Sequence, residues 1–134
     1  MPTIYVLIKT ESHYPINRKD IDAAVRAHLD GKVKRDTEVS IAIAGDRLMK
    51  SLNKTYRKKD YTTDVLSFTF TEALSGSGPF VESPEDDILR LGDIIVSYPE
   101  AVREAGEMNR MVDDVVRELV LHGLDHLLGI HHPE

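Results

Sequence analysis

Glu38-Val39-Ser40-Ile41-Ala42-Ile43-Ala44 runs without a break into Gly45-Asp46-Arg47-Leu48-Met49-Lys50-Ser51-Leu52-Asn53-Lys54-Thr55-Tyr56, and the periodicity changes at the glycine. The first seven residues alternate in the manner of a strand. Beyond Gly45-Asp46, Leu48, Met49, Leu52 and Tyr56 fall on one face of a helix whose other faces are basic. Upstream, Thr3 to Lys9 is β-branched and aromatic and reads as a first strand. Asn17 then caps a helix carrying Ile21, Val25 and Leu29, which Gly31 stops. Downstream, Asp64 to Phe70 and Asp93 to Ser97 read as third and fourth strands, separated by a Gly-, Ser-, Pro- and acid-rich loop from Thr71 to Arg90. Pro99 suits the first turn of a helix over Glu100 to Asn109, and a last helix runs from about Met111 to Leu128 with Val112, Val115, Val116, Leu119 and Val120 on its buried side. The strand-helix-strand-helix-strand opening favours parallel pairing, and the later strand-loop-strand step favours one antiparallel neighbour. The expected fold is α+β: a small four-stranded mixed sheet packed with about four to five helices.

With 134 residues, 41% apolar and 30% charged, the chain has the size and composition of one globular domain over residues 1–134. No apolar run reaches the length of a membrane span. The opening Met1-Pro2-Thr3-Ile4-Tyr5 reads as the approach to a strand rather than as a signal peptide. The absence of cysteine excludes disulfides and thiolate metal sites and makes a cytoplasmic location the expectation. A net charge of -6 argues against a surface that grips nucleic acid everywhere. The charge is uneven, however. Arg47, Lys50, Lys54, Arg57, Lys58 and Lys59 face only Asp46 between Gly45 and Lys59, whereas acids dominate from Glu82 to Glu118. A local basic patch of this kind can meet phosphates.

Four of the six histidines lie in His122-Gly123-Leu124-Asp125-His126-Leu127-Leu128-Gly129-Ile130-His131-His132. His122 and His126 stand one helical turn apart, so two imidazoles can converge on one ion. At roughly 100° per residue they lie within about 60° of Leu119 and Val115, which predicts a core-facing position. Gly129 accepts the left-handed conformation of a helix stop, after which the chain can return His132 as a third ligand. Imidazolium at a helix end also complements the dipole, which explains one or two histidines but not this cluster. Three neutral imidazoles suit one zinc ion, with other divalent transition metals as competitors, and leave a coordination position open as in catalytic sites. His131, next in sequence to His132, is expected to point elsewhere; His13 and His28 receive no role.

The spacing agrees with the zinc-protease pattern H-E-x-x-H-x-x-G-x-x-H except that Gly123 replaces the glutamate base. Asp125 points at least a quarter-turn from the histidine face and is a weak substitute. The segment His122-Gly123-x-x-His126-Leu127-x-Gly129-x-x-His132 resembles the signature H-G-x-L-H-L-x-G-Y-D-H of the YbeY family, metal-dependent endoribonucleases of ribosomal RNA maturation. Leu52-Asn53-x-x-Tyr56-Arg57-x-x-Asp60-x-Thr62-Thr63-Asp64-Val65-Leu66-Ser67-Phe68 and Leu91-Gly92-Asp93-Ile94-Ile95-Val96-Ser97 agree with the same family. Asp125, Ile130 and His131 depart from its leucine, tyrosine and aspartate, and Thr62 stands near its proline.

The resemblance implies a single-strand-specific, metal-dependent endoribonuclease of late small-subunit, 3'-end ribosomal RNA processing and ribosome quality control. It implies His122, His126 and His132 as metal ligands, Arg57 and His122 as catalytic residues, and ribosomal RNA and the small ribosomal subunit or its proteins as partners. Arginine suits that role because its planar fork binds two phosphate oxygens and stabilises charge built up in a transition state. Lys50, Lys54, Lys58 and Lys59 fit diffuse backbone contacts or solubility. Asp64 and Ser67 suit capping or edge hydrogen bonding as well as chemistry. Two alternatives stay open: a zinc hydrolase of peptides or amides, and a non-catalytic ribosome-assembly factor with a structural metal. The oligomeric state is not legible.

Overall fold

The structure, a computed structural model, describes residues 2–57, 63–70 and 87–129. Strands β1 (Ile4–Thr10), β2 (Thr37–Ala44), β3 (Val65–Thr69) and β4 (Leu89–Ser97) form one sheet in the order β1-β2-β4-β3. Helices α1 (Arg18–Leu29), α2 (Asp46–Arg57), α3 (Tyr98–Met108) and α4 (Val112–Leu127) pack on it. β1 runs parallel to β2, and β2 parallel to β4, whereas β3 is antiparallel to β4. This is the expected mixed α+β sheet, with one correction. β3 does not extend the parallel run beside β2, because β4 occupies that position. Ile94 and Val96 of β4 are buried on one face and Ile95 on the other, so this strand takes the centre and β3 the edge.

The helices divide unequally between the two faces. Val39, Ile41 and Ile43 of β2 join Ile94 and Val96 of β4 in a core closed by Val25 and Leu29 of α1, Ala101 and Ala105 of α3 and Val115, Val116, Val120 and Leu124 of α4. The opposite face carries a smaller cluster of Ala44, Leu66, Phe68 and Ile95 under Met49 of α2. Local signals account for the helix starts. The Asn17 side chain accepts from the Asp20 N–H at 3.1 Å, and Ser97 accepts from the Glu100 N–H at 3.1 Å with proline in the first turn. No helix among the described residues is long and apolar enough to cross a membrane.

β4 begins four residues earlier than its Asp93-Ile94-Ile95-Val96-Ser97 segment suggests, because a bulge breaks its alternation. Glu38 pairs with Arg90 but Val39 with Gly92, leaving Leu91 as the extra residue. Gly92 has φ +139°, and a Cβ there would lie 2.0 Å from the Phe68 carbonyl oxygen of β3. Gly106 lies in α3 with nothing within 4 Å of the corresponding position. The same substitution should therefore have opposite signs at the two sites. Gly92→Ala is expected to cost about 3 kcal/mol through backbone strain and overpacking. Gly106→Ala is expected to gain about 0.5–1 kcal/mol from helix propensity. Urea unfolding midpoints of the two variants against the parent measure both effects.

Candidate metal and phosphate site

Helix α4 carries the first two histidines across the sheet beside β3. Val115, Val116, Val120, Gly123, Leu124 and Leu127 form its buried side. His122 and His126 are exposed, not core-facing as their angular proximity to Val115 suggests. The stripe through Val115, Leu119, His122 and His126 starts buried and rotates outward, so the imidazoles end at the rim of the core. Exposure suits ligands that must reach an ion from solvent. Gly129 has φ +78°, the left-handed stop expected of it. His131 and His132 lie outside the described residues, as do Lys58, Lys59, Asp60 and Thr62. Among the described residues no group of three histidines, cysteines or carboxylates gathers as a metal site.

The donors that are described have the chemistry a divalent transition metal requires. Two imidazoles stand one turn apart, and His126 Nδ1 lies 2.6 Å from Ser67 Oγ of β3, a contact that holds the ring. The structure also accounts for the missing glutamate. A Cβ on Gly123 would lie 2.7 Å from Ile94 Cγ2 and 3.5 Å from Val65 Cγ2. Position 123 faces the sheet, where a carboxylate general base has neither room nor access to a substrate.

Arg57 reaches the same strand from the other side. Its Nη2 donates to the Ser67 carbonyl at 2.7 Å, and its guanidinium stacks 4.7 Å over the Phe68 ring. The last residue of α2 and the last turn of α4 thus meet at one residue of β3. Arg57 does not line the cleft beside His122, a space of about 410 Å³ whose walls include Asp64, Val65, Leu119, His122 and Asp125.

Two further contacts escaped the sequence reading. His28 Nε2 of α1 pairs with Asp125 Oδ1 at 2.5 Å, so Asp125 ties α4 to α1. Their 97-residue separation hides the pair from any local pattern. Glu104 of α3 faces Asp64, with its Oε2 buried and lacking a hydrogen-bond partner among the described residues. Burial and then the charge of Asp64, a hydrogen bond to Asp64 and the charges of Glu100 and Glu107 push the Glu104 carboxyl up to about 7. Asp64 therefore joins β3 to a second carboxyl group as well as lining the histidine cleft.

A family model described as Endoribonuclease YbeY matches residues 7–134. The Endoribonuclease YbeY of Aquifex aeolicus is 34% identical over 127 residues, covering 95% of this chain and 77% of that protein. The protein of the same name from Anaeromyxobacter is 35% identical over 93% of this chain and 61% of its own length. That from Moorella thermoacetica is 44% identical over 75% of this chain and 63% of its own. The match thus spans less than two thirds of two of these three relatives. The solution structure of TM1509 from Thermotoga maritima superposes with a TM-score of 0.59 at 24% identity, covering 96% of this chain and 75% of that one, and shares the fold.

The Glu104 carboxyl supplies a test of the site's electrostatics. An acid whose pKa is raised on folding holds its proton more tightly in the folded state. Its effect on stability therefore turns unfavourable as pH rises from the ordinary glutamate range, reaching its full cost above about 7. Glu104→Gln should raise the melting temperature at pH 8 and leave it nearly unchanged at pH 5. Equal shifts at both pH values would show that the carboxyl titrates normally.

Proposed function

The chain belongs to the endoribonuclease YbeY family, and on that premise we propose that it hydrolyses single-stranded RNA with one divalent metal ion, zinc by donor preference, held by His122, His126 and His132. The observation that carries this reading is the meeting at Ser67, where an anion-binding guanidinium and an imidazole ligand are anchored on one residue. An RNA hydrolase needs these two groups side by side, one for the phosphate and one for the ion. When bound, the ion polarises a phosphoryl oxygen or lowers the pKa of water towards neutrality.

The protein's own residues supply position and charge. Arg57 holds the scissile phosphate and stabilises its developing charge, with Phe68 and the Ser67 carbonyl fixing the plane of the guanidinium. His122 and His126 orient the ion from one helical face, with the Ser67 hydroxyl on the His126 ring. The exposed basic residues of α2, Arg47, Lys50 and Lys54, give the flanking backbone a positive approach despite the acidic total. Single strands fit because their phosphates can follow such a groove without deformation of a duplex. Maturation of small-subunit ribosomal RNA, in contact with the subunit or its proteins, and a cytoplasmic location complete the proposal.

Arg57→Ala should lower kcat/KM for RNA by about a hundredfold or more, the usual cost of losing one transition-state donor, while metal content stays at the parent level. His126→Ala should lose both metal and cleavage. Metal analysis beside cleavage of ribosomal RNA and of casein separates the alternatives. Full RNA cleavage by a metal-free His126→Ala protein would defeat the nuclease proposal; cleavage of casein alone would favour a peptide hydrolase. Undiminished ribosome assembly by a folded, inactive His126→Ala variant would favour a binding factor.

A further inference from the structure

Ser67 is a buried polar residue on a face of β3 that otherwise meets apolar groups. Val65, two residues before it on that face, packs against the core that contains Ile94, the β4 partner of Ser67. Its hydroxyl lies 2.6 Å from His126 Nδ1. A hydroxyl in such a place needs a partner, and the imidazole provides it. The direction of this hydrogen bond has a chemical consequence. A neutral imidazole carries one proton. If the hydroxyl donates to Nδ1, the proton sits on Nε2, and that nitrogen has no lone pair to offer. If Nδ1–H donates to the hydroxyl, Nε2 carries the lone pair and faces away from Ser67.

We propose that Ser67 is a positioning residue: its Oγ accepts from His126 Nδ1–H, selecting the tautomer and ring orientation in which Nε2 binds the metal. The inference rests on the metal-nuclease reading for its purpose, but the tautomer itself is a property of the metal-free protein. Ser67 acts through two separate groups. The hydroxyl holds the metal ligand and the carbonyl holds Arg57 Nη2 at 2.7 Å, so one strand residue sets the spacing between ion and phosphate. Because a side-chain change leaves the carbonyl in place, the two functions can be separated by substitution.

The test uses the full chain in four forms: parent, Ser67→Ala, Ser67→Cys and Ser67→Thr. Ring-nitrogen NMR of His126 in metal-free protein reads the tautomer, and competition with a zinc chelator reads affinity. The parent should show the Nδ1–H form. Ser67→Ala should shift towards Nε2–H and weaken zinc binding by about 10–100-fold, the usual cost of losing an outer partner of a ligand. Ser67→Cys keeps a similar volume with a weak acceptor and should move both readouts the same way, which covers the case of a poorly folded alanine variant. Ser67→Thr retains the hydroxyl and should restore the parent values. Folded alanine and cysteine variants with the parent's tautomer and an affinity within twofold would overturn the proposal. So would an Nε2–H tautomer in the parent. A parent with the Nδ1–H tautomer but no zinc binding would leave Ser67's hold on the ring standing and defeat the metal reading instead.

Discussion

The close approach of α4 to the sheet at Gly123 is the constraint on which the site depends. A helix presenting any larger residue there meets Ile94, so it must stand off or tilt. Standing off by even an ångström would separate His126 Nδ1 from Ser67 Oγ, which are 2.6 Å apart. The glycine therefore sets the height of the histidine ladder above β3. Leu124 and Val120, both buried, then fix the rotation of the helix, leaving the imidazoles at its outer margin. A close apolar contact and a single hydrogen bond together define where the imidazoles stand.

Electrostatically the cleft is a boundary. Arg57 approaches β3 from the basic α2, whereas Asp64, Glu104 and Asp125 crowd the side towards α1 and α3. The acids are not all equivalent. Asp125 is matched by His28, while Glu104 faces Asp64 and is driven towards neutrality at physiological pH. Under the proposed function, ionised carboxylates at this position would repel a phosphodiester. The raised pKa of the Glu104 carboxyl lowers that repulsion at the cost of burying polar atoms.

Much of this was legible in the residues. The alternating Glu38–Ala44 segment, the helix signals at Asn17 and Pro99 and the valine stripe of α4 each match their elements because local burial and local hydrogen bonds dominate there. The sheet order was harder. The β2-helix-β3 sequence suggested a parallel neighbour, but the central place goes to the strand able to bury both faces, a competition no local window records. The bulge at Leu91 hid the first half of β4 because it shifts the phase of alternation: Leu91 and Ile94 face the same layer although their spacing is odd. The histidine spacing identified one helical face, yet rotation of the stripe out of the core depends on how α4 seats on β3 and β4. The anchoring of Arg57 on Ser67 and the His28–Asp125 and Ser67–His126 contacts are tertiary. They join residues on different elements, and only the packed chain displays them.

The arginine's seat has a consequence for the company this protein keeps in concentrated solution. The Asp64 carbonyl accepts from the Ser97 N–H, so pairing alternates along the strand and the Ser67 carbonyl points away from β4, towards a margin that no other described strand covers. Such margins invite a strand from another molecule, the first step of runaway self-association. Arg57 occupies that acceptor with a positive charge. A guanidinium seated there shields that acceptor from a strand of a second copy.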